Sequence, residues 1–205
     1  MVTVGVDEVG RGCWAGPLVA GAAILPPNTL ADFVWEVCPP NGGPIEAVRV
    51  KVADSKRLSK RQREVAAEWI RANAVAIGLG WVWPAEIDEH GLTWAVKAAM
   101  ERAVAEVAVS YDEVIIDGSI NYFADNPKAR AVIKADDSVL AVSAASIAAK
   151  VVRDAYMSEL GERYSGYGFE KHVGYGTTAH TAALKRLGVS DIHRRSYKPI
   201  QALMT

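Results

Sequence analysis

Residues Val2-Thr3-Val4-Gly5-Val6-Asp7-Glu8-Val9-Gly10-Arg11-Gly12 constrain this chain more than any other stretch. β-Branched side chains suit a pleated surface, so Val2, Thr3 and Val4 predict a strand. The strand is expected to stop at two adjacent carboxylates, followed at once by a glycine-arginine-glycine turn. Successive strand residues face opposite ways, so one carboxylate reaches a shared site only through its rotamer or a backbone bend. The glycines open torsions closed to other residues and let a ligand approach the main chain. Arg11 adds a planar fork suited to phosphate or sugar oxygens. Acidic and basic groups this close suggest a metal site beside an anion site. The plain alternative is a strand-to-turn corner with exposed charges.

Downstream, elements alternate. Residues 17–25, with small side chains from Ala20 to Ala23, predict a second strand hairpin-paired with the first, ended by Pro26-Pro27-Asn28. Residues 37–50, with Pro39-Pro40-Asn41-Gly42-Gly43-Pro44, read as a surface loop rich in breakers. Asp54 to Lys60 lead into a helix whose Ser59 and Gln62 match a capping box, with Val65, Ala66, Trp69 and Ile70 on one face. Its basic first turn opposes the helix dipole, which a bound phosphate or simple solvation offsets. A third strand is expected over 74–83 and a helix over 86–109. A fourth strand covers Glu113 to Asp117 and a short fifth covers Ala131 to Lys134. The alanine-dense stretch 142–164 predicts a long helix, 166–176 a glycine- and aromatic-rich loop, and 177–187 a short helix with Gly188 beyond it. The tail from His193 to Pro199 is basic. This alternation gives an α/β sheet with helices on its faces.

Acids therefore arrive from three separate strands or strand ends: Asp7 with Glu8, then Asp117, then Asp136 or Asp137. Brought together at one sheet edge they repel one another, and burial pushes some towards the neutral form. Divalent cations relieve the repulsion, and hard oxygen donors suit magnesium or manganese rather than zinc. Two such ions serve in-line phosphoryl displacement.

Composition permits this and excludes little else. The 205 residues, half of them hydrophobic and 23% charged, suit a soluble globular protein of one domain, or one with a small appendage. A net charge of −1 hides a net of +5 between Arg49 and Arg71 and of +4 from Lys150 to the end, which fits a basic surface around an acidic centre. No apolar run approaches membrane-spanning length and no signal peptide opens the chain, so a cytoplasmic protein with no membrane partner is expected. Cys13 and Cys38 are too few for a disulfide framework or a thiolate metal site.

Several segments together resemble one family, ribonuclease HII. They are Asp7-Glu8-Val9-Gly10-Arg11-Gly12 with Ala15-Gly16-Pro17-Leu18-Val19-Ala20, Asp54-Ser55-Lys56-Arg57-Leu58-Ser59, Ile116-Asp117-Gly118, Lys134-Ala135-Asp136, Ser143 to Val151 with Arg153-Asp154, and His172 to Thr177. They follow the family's order over nearly the whole chain. Arg11 sets it apart from ribonuclease HIII, whose turn lacks the arginine. The resemblance implies a ribonuclease H-like fold with a mixed central sheet flanked by helices. It also implies a helical C-terminal part, from about residue 160, that clamps the substrate. It implies a monomeric endonuclease that cuts RNA in RNA/DNA hybrids, and 5′ of single ribonucleotides in duplex DNA, leaving 5′-phosphate and 3′-hydroxyl ends. Its cofactors would be Mg2+ or Mn2+, two with substrate bound. Asp7, Glu8, Asp117 and Asp136 would be the metal-binding catalytic acids, Asp136 rather than Asp137 because the family's acid is the first of the pair. The family has a glycine where Ala135 stands. Gly10, Arg11 and Gly12 would contact the ribose 2′-hydroxyl, which distinguishes RNA from DNA, and Tyr175 would stack on the adjoining deoxyribose. Lys56, Ser146, Lys150 and Arg153 are further expected substrate contacts, the basic ones to phosphates. His172, His180 and His193 lack metal-ligand spacing, Trp14 lies beside the turn, and the tail carries no identifiable docking motif for a replication or repair partner. The rival readings are a non-catalytic module that binds hybrid duplexes and a metal-dependent phosphatase of small substrates.

Overall fold

The computed structural model describes residues 1–37 and 43–204. Five strands form a mixed sheet: β1 (Thr3–Val9), β2 (Leu18–Ile24), β5 (Ala76–Val82), β6 (Glu113–Asp117) and β7 (Ala129–Val132), in the order β5-β2-β1-β6-β7. β1 pairs antiparallel with β2, with Asp7 opposite Gly21, and parallel with β6, with Val6 opposite Ile116. The expected hairpin and all five expected strands are present, the third as β5 and the fifth, β7, two residues earlier than predicted. β1 runs on through Val9, so Asp7 and Glu8 stand within the strand rather than at its stop.

Alternation sorts the two faces. Val4 and Val6 join Leu18, Ala20, Ala99 and Met100 in the core beneath helix α3 (Leu92–Ala105). Gly5 and Asp7 face helix α4 (Leu140–Arg163) on the other side. A Cβ on Gly5 would stand 2.1 Å from the backbone of Ala141 and Val142, and one on Gly21 2.3 Å from the Ala145 carbonyl oxygen. Glycine at these two positions lets an alanine-rich helix lie directly on the strands that carry the acids. Helix α1 (Lys60–Asn73) closes this layer through Val65, Ala66 and Ile70. Its capping box is formed: Gln62 N–H donates to Ser59 Oγ at 3.2 Å, and Ser59 N–H to Gln62 Oε1 at 2.8 Å.

Two expectations are corrected. Residues 46–50, placed in a loop, belong to strand β4 (Glu46–Lys51), which pairs with β3 (Asp32–Val37) in a separate two-stranded sheet. Phe33, Trp35 and Val48 pack it against the α1 layer. Cys38 and Pro39 to Gly42 lie outside the described residues. The helix expected over 86–109 is two helices, α2 (Pro84–His90) and α3, because Gly91 sits at φ 82°, ends the first and opens the second.

After α4 the chain forms α5 (Phe169–His172) within the expected loop, α6 (Thr178–Leu187) and α7 (Lys198–Gln201) in the basic tail. They share a core of Met157, Leu160, Phe169, Leu184 and Ile200. Beside it lie His172, His180 and His193, all buried. Their hydrogen bonds fix every ring proton. Ser190 N–H donates to His193 Nδ1 at 3.0 Å, so His193 Nε2 is the donor to His180 Nε2, also at 3.0 Å. His180 Nδ1 is then the donor to the Tyr175 carbonyl at 3.0 Å. His172 Nδ1 accepts from Gly174 N–H, leaving Nε2–H for the Tyr167 carbonyl at 2.9 Å. A second proton on His180 would point straight at the His193 N–H. Among the described residues no helix is long and apolar enough to cross a membrane.

Burial, with the neighbouring imidazoles, holds His180 and His193 down to about 4, against 6.5 in a free chain. A depressed pKa means the unfolded state takes up protons first, so this contribution to stability is complete above pH 6.5 and is lost as pH falls towards 4. Buried carboxylates elsewhere shift the opposite way, so the informative quantity is the difference between wild type and His180→Gln. Thermal unfolding from pH 7.5 to 4.5 should show the wild type losing more of its midpoint on acidification than the variant. Parallel curves would contradict the assignment.

Candidate active site

The parallel pairing of β1 and β6 brings their carboxyl ends to one end of the sheet, and Asp7 and Asp117 with them. Asp136 arrives from a 3-10 turn, Ala135–Asp137, that follows Lys134 in a left-handed conformation, φ 56°. One carboxylate oxygen from each of Asp7, Asp117 and Asp136 lies within 4.8 Å of the others. Short hydrogen bonds hold the group: Asp7 Oδ1 accepts Glu8 N–H at 2.8 Å, and Asp117 Oδ1 accepts Ala135 N–H at 2.8 Å, joining two of the acid-bearing segments. Ser143 Oγ–H donates to the Asp136 carbonyl at 2.7 Å.

Electrostatically this is an unbalanced cluster. Burial, then repulsion from Glu8 and Asp117, pushes Asp7 up to about 7, although Ser146 and the Glu8 N–H donate to it. Burial raises Glu8 too, with Asp117 adding to the effect and Arg11 opposing it. Asp136 is raised by burial and by Asp117. Lys56 is held above its usual range: partial burial works against its charge, but attraction from Asp7, Asp54, Asp136 and Asp117 outweighs it. Glu8 stands on the other face of β1, outside the three-acid group, with its Oε1 3.7 Å from Arg11 Nη1. Three crowded, partly neutralised oxygen donors fit a hard divalent cation of the magnesium or manganese kind. Asp137 turns away and pairs with Arg57 at 2.9 Å, both side chains exposed.

Next along the chain, Gly10 takes φ 88°, and a Cβ there would meet Arg153 Nε at 2.3 Å. The loop carrying Tyr175 lies against the following residues. Trp14 N–H donates to the Gly174 carbonyl at 2.8 Å, and a Cβ on Gly174 would stand 2.3 Å from the Ala15 carbonyl oxygen. Tyr175 is part-exposed, with Lys150 Nζ 5.9 Å from its ring centre; Lys150 also pairs with Asp154 at 3.0 Å.

Two of the expected substrate contacts are buried and bonded within the protein. Arg153 is fully buried, and its guanidinium donates to the carbonyls of Pro17 at 2.8 Å, Val173 at 3.0 Å and Ala15 at 3.4 Å. Each buried carbonyl stranded by its loss costs about 1–3 kcal/mol, so Arg153 is an internal brace. Ser146 is also buried, its hydroxyl placed between Ser55 Oγ at 2.9 Å and the Asp7 carboxylate. Both stand on the buried face of α4, which the alanine pattern signalled. Sequence reasoning missed Arg194, buried in a tail read as merely basic; the adjoining Ile192, Tyr197 and Ile200 were the available signal.

The family model for ribonuclease HII matches residues 4–200. The chain belongs to the ribonuclease HII family. It is thus a ribonuclease H hydrolase, acting on the RNA of RNA/DNA hybrids. Ribonuclease HII of Nitrosococcus oceani is 46% identical over 200 residues, covering 98% of this chain and 90% of that protein. Ribonuclease HII of Halorhodospira halophila is 46% identical over 204 residues, covering 98% and 94%. Among solved structures, ribonuclease H2 of Pyrococcus horikoshii superimposes with a TM-score of 0.76 at 26% identity, covering 99% of this chain and 97% of that one. The Archaeoglobus fulgidus ribonuclease HII, solved in complex with PCNA, shares the fold with a TM-score of 0.71 at 24% identity, covering 97% and 96%. The mixed sheet with flanking helices and a helical C-terminal region is thus the ribonuclease HII fold.

Crowded carboxylates cost stability, which makes a test possible without substrate. In EDTA at pH 7.5, Asp7→Asn should raise the unfolding midpoint on the order of 2–4 °C, the shift about 1 kcal/mol produces in a chain of this length. Mg2+ or Mn2+ should raise the wild-type midpoint and leave the variant's nearly unmoved. A variant less stable than wild type in EDTA would contradict the repulsion argument.

Proposed function

We propose that this ribonuclease HII is a metal-dependent endonuclease that cuts hybrid RNA and also 5′ of a single ribonucleotide embedded in duplex DNA, leaving 5′-phosphate and 3′-hydroxyl ends. The observation that carries this reading is the convergence of Asp7, Asp117 and Asp136, within 4.8 Å and short of counter-charge, beside a glycine turn that opens to solvent. Asp7, Asp117 and Asp136, with Glu8 across the strand, would hold the ions. Divalent cations held there would supply an activated water and offset charge on the leaving oxygen. The chain's own residues do the rest. Backbone N–H groups and Ser146 orient the acids, Lys56 limits their net charge, and Arg11 draws on Glu8. Gly10, Arg11 and Gly12 meet the sugar edge, and the 2′-hydroxyl is the atom by which that edge is RNA. Tyr175 offers a ring face to the neighbouring sugar.

The duplex has a path from there. A groove between α1, α4 and α5 is lined by Lys60, Arg63, Lys150 and Lys171, with Glu64, Asp154 and Glu170 among them. The basic residues suit a phosphate backbone, and the C-terminal helices stand beside it as a clamp. The terminal domain arrangement, one catalytic unit with a clamp from about residue 160, is part of the same proposal.

A labelled DNA duplex with one ribonucleotide, incubated with Mg2+, Mn2+ or EDTA, tests this. Cleavage 5′ of the ribonucleotide with either ion, and none in EDTA, is expected; binding without cleavage under every ion would favour a non-catalytic hybrid-binding module. Asp136→Asn should lower cleavage by more than about 100-fold, beyond the loss usual for a residue that only supports a ligand. Asp137→Asn, which breaks one exposed ion pair worth less than about 1 kcal/mol, should stay within a few-fold of wild type.

A further inference from the structure

Behind the glycine turn stands a second buried arginine with no role so far. Arg194 is fully buried, and among the described residues no carboxylate forms an ion pair with it. Its guanidinium is satisfied by oxygen atoms of the turn instead. Nε and Nη2 both donate to the Gly16 carbonyl, at 3.1 and 3.0 Å, and Nη1 donates to the Arg11 carbonyl at 3.1 Å and to Tyr197 Oη at 3.0 Å. Tyr197 Oη–H in turn donates to the same Arg11 carbonyl at 2.7 Å.

The Arg11 carbonyl oxygen therefore receives two donors from inside the protein. A trans peptide sets its C=O and N–H antiparallel. Fixing the Arg11 carbonyl inward thus aims the Gly12 N–H outward. That N–H has no acceptor among the described residues, and a Cβ built on Gly12 meets nothing within 4 Å. The donor faces open space, one residue past Arg11, whose guanidinium lies 3.7 Å from Glu8. The latch is itself anchored: Asp88 on α2 accepts Arg195 N–H and Ser196 N–H, each at 2.8 Å, and Ser196 Oγ–H at 2.6 Å, while Arg194 N–H donates to the Trp14 carbonyl at 2.8 Å.

We infer that Arg194 and Tyr197 are positioning residues for sugar discrimination: they clamp the Arg11 carbonyl so that the Gly12 N–H is presented to the ribose 2′-hydroxyl. This rests on the proposed reading of the turn. Neither side chain touches substrate; both act through one peptide plane. Tyr197→Phe removes a donor to that plane and leaves the aromatic packing in place, so it is the primary variant. Arg194→Met removes the second donor and both bonds to Gly16. Arg194→Lys keeps the charge but cannot span the same carbonyls together.

The measurement is the affinity of each protein, in EDTA, for a duplex containing one ribonucleotide and for the same duplex made wholly of DNA. The readout is the ratio of the two. Tyr197→Phe should lower the ratio by about two- to twelvefold, the range that one hydrogen bond of ordinary strength spans, with affinity for the all-DNA duplex unchanged. Arg194→Met should lower it further and Arg194→Lys should fall between. A folded Tyr197→Phe with the wild-type ratio overturns the inference, as does an equal loss on both duplexes, which marks general damage. A wild-type protein with no preference for the ribonucleotide overturns the reading of the turn and the latch with it.

Discussion

Carboxylates do not gather by themselves. Holding oxygens of Asp7, Asp117 and Asp136 within 4.8 Å of one another requires the rest of the fold to overcome their repulsion, and the structure shows what does so. Parallel pairing of β1 with β6 fixes two of the acids to neighbouring strands, and the Ala135 N–H bond to Asp117 fixes the third segment to the second. The apolar cores on either side of the sheet supply the free energy. The same packing removes water that would screen the charges, which is why Asp7 is pushed up to about 7. Closeness and burial have one cause, and a hard cation is the chemical answer to both.

The recognition side uses the opposite charge with a different solution. Arg153 and Arg194 are buried cations, and each is satisfied by backbone carbonyls of the segment between Arg11 and Pro17. A guanidinium offers five donors in a fixed fork, so one side chain can hold several carbonyls in a set geometry. The glycine turn consequently has little regular structure and little freedom. Three stretches distant in sequence, the turn, the Tyr175 loop and the segment from Ile192 to Tyr197, are stitched together there by main-chain bonds such as Trp14 to Gly174 and Gly16 to Ile192.

Much of this was legible in the sequence because local rules and global fold agree. β-Branched runs gave β1 and β6, Ser59 with Gln62 gave the start of α1, and acids at three strand ends gave the site's composition. Legibility failed where tertiary context decides. Phe33, Trp35 and Val37 alternate with Asp32, Val34 and Glu36 as a half-buried strand should, but the proline and glycine residues after them dominated the reading. Gly91 divides a helix whose apolar stripe continues on both sides. Arg153 and Arg194 read as solvent-facing because charge usually is; their burial depends on carbonyls that no periodicity encodes.

Helix α4 carries Ser146 under Asp7 and, two turns later, Arg153 under the glycine turn. Those residues are seven apart, so about 10 Å of rigid helix separates the support of one part from the support of the other. The helix is a common datum for both. Sliding or tilting it moves the acids and the turn together, and the spacing between the bond cut and the sugar read is inherited from helical geometry. Variation that retunes one part alone must therefore come from the loops, since any change that displaces α4 shifts both at once.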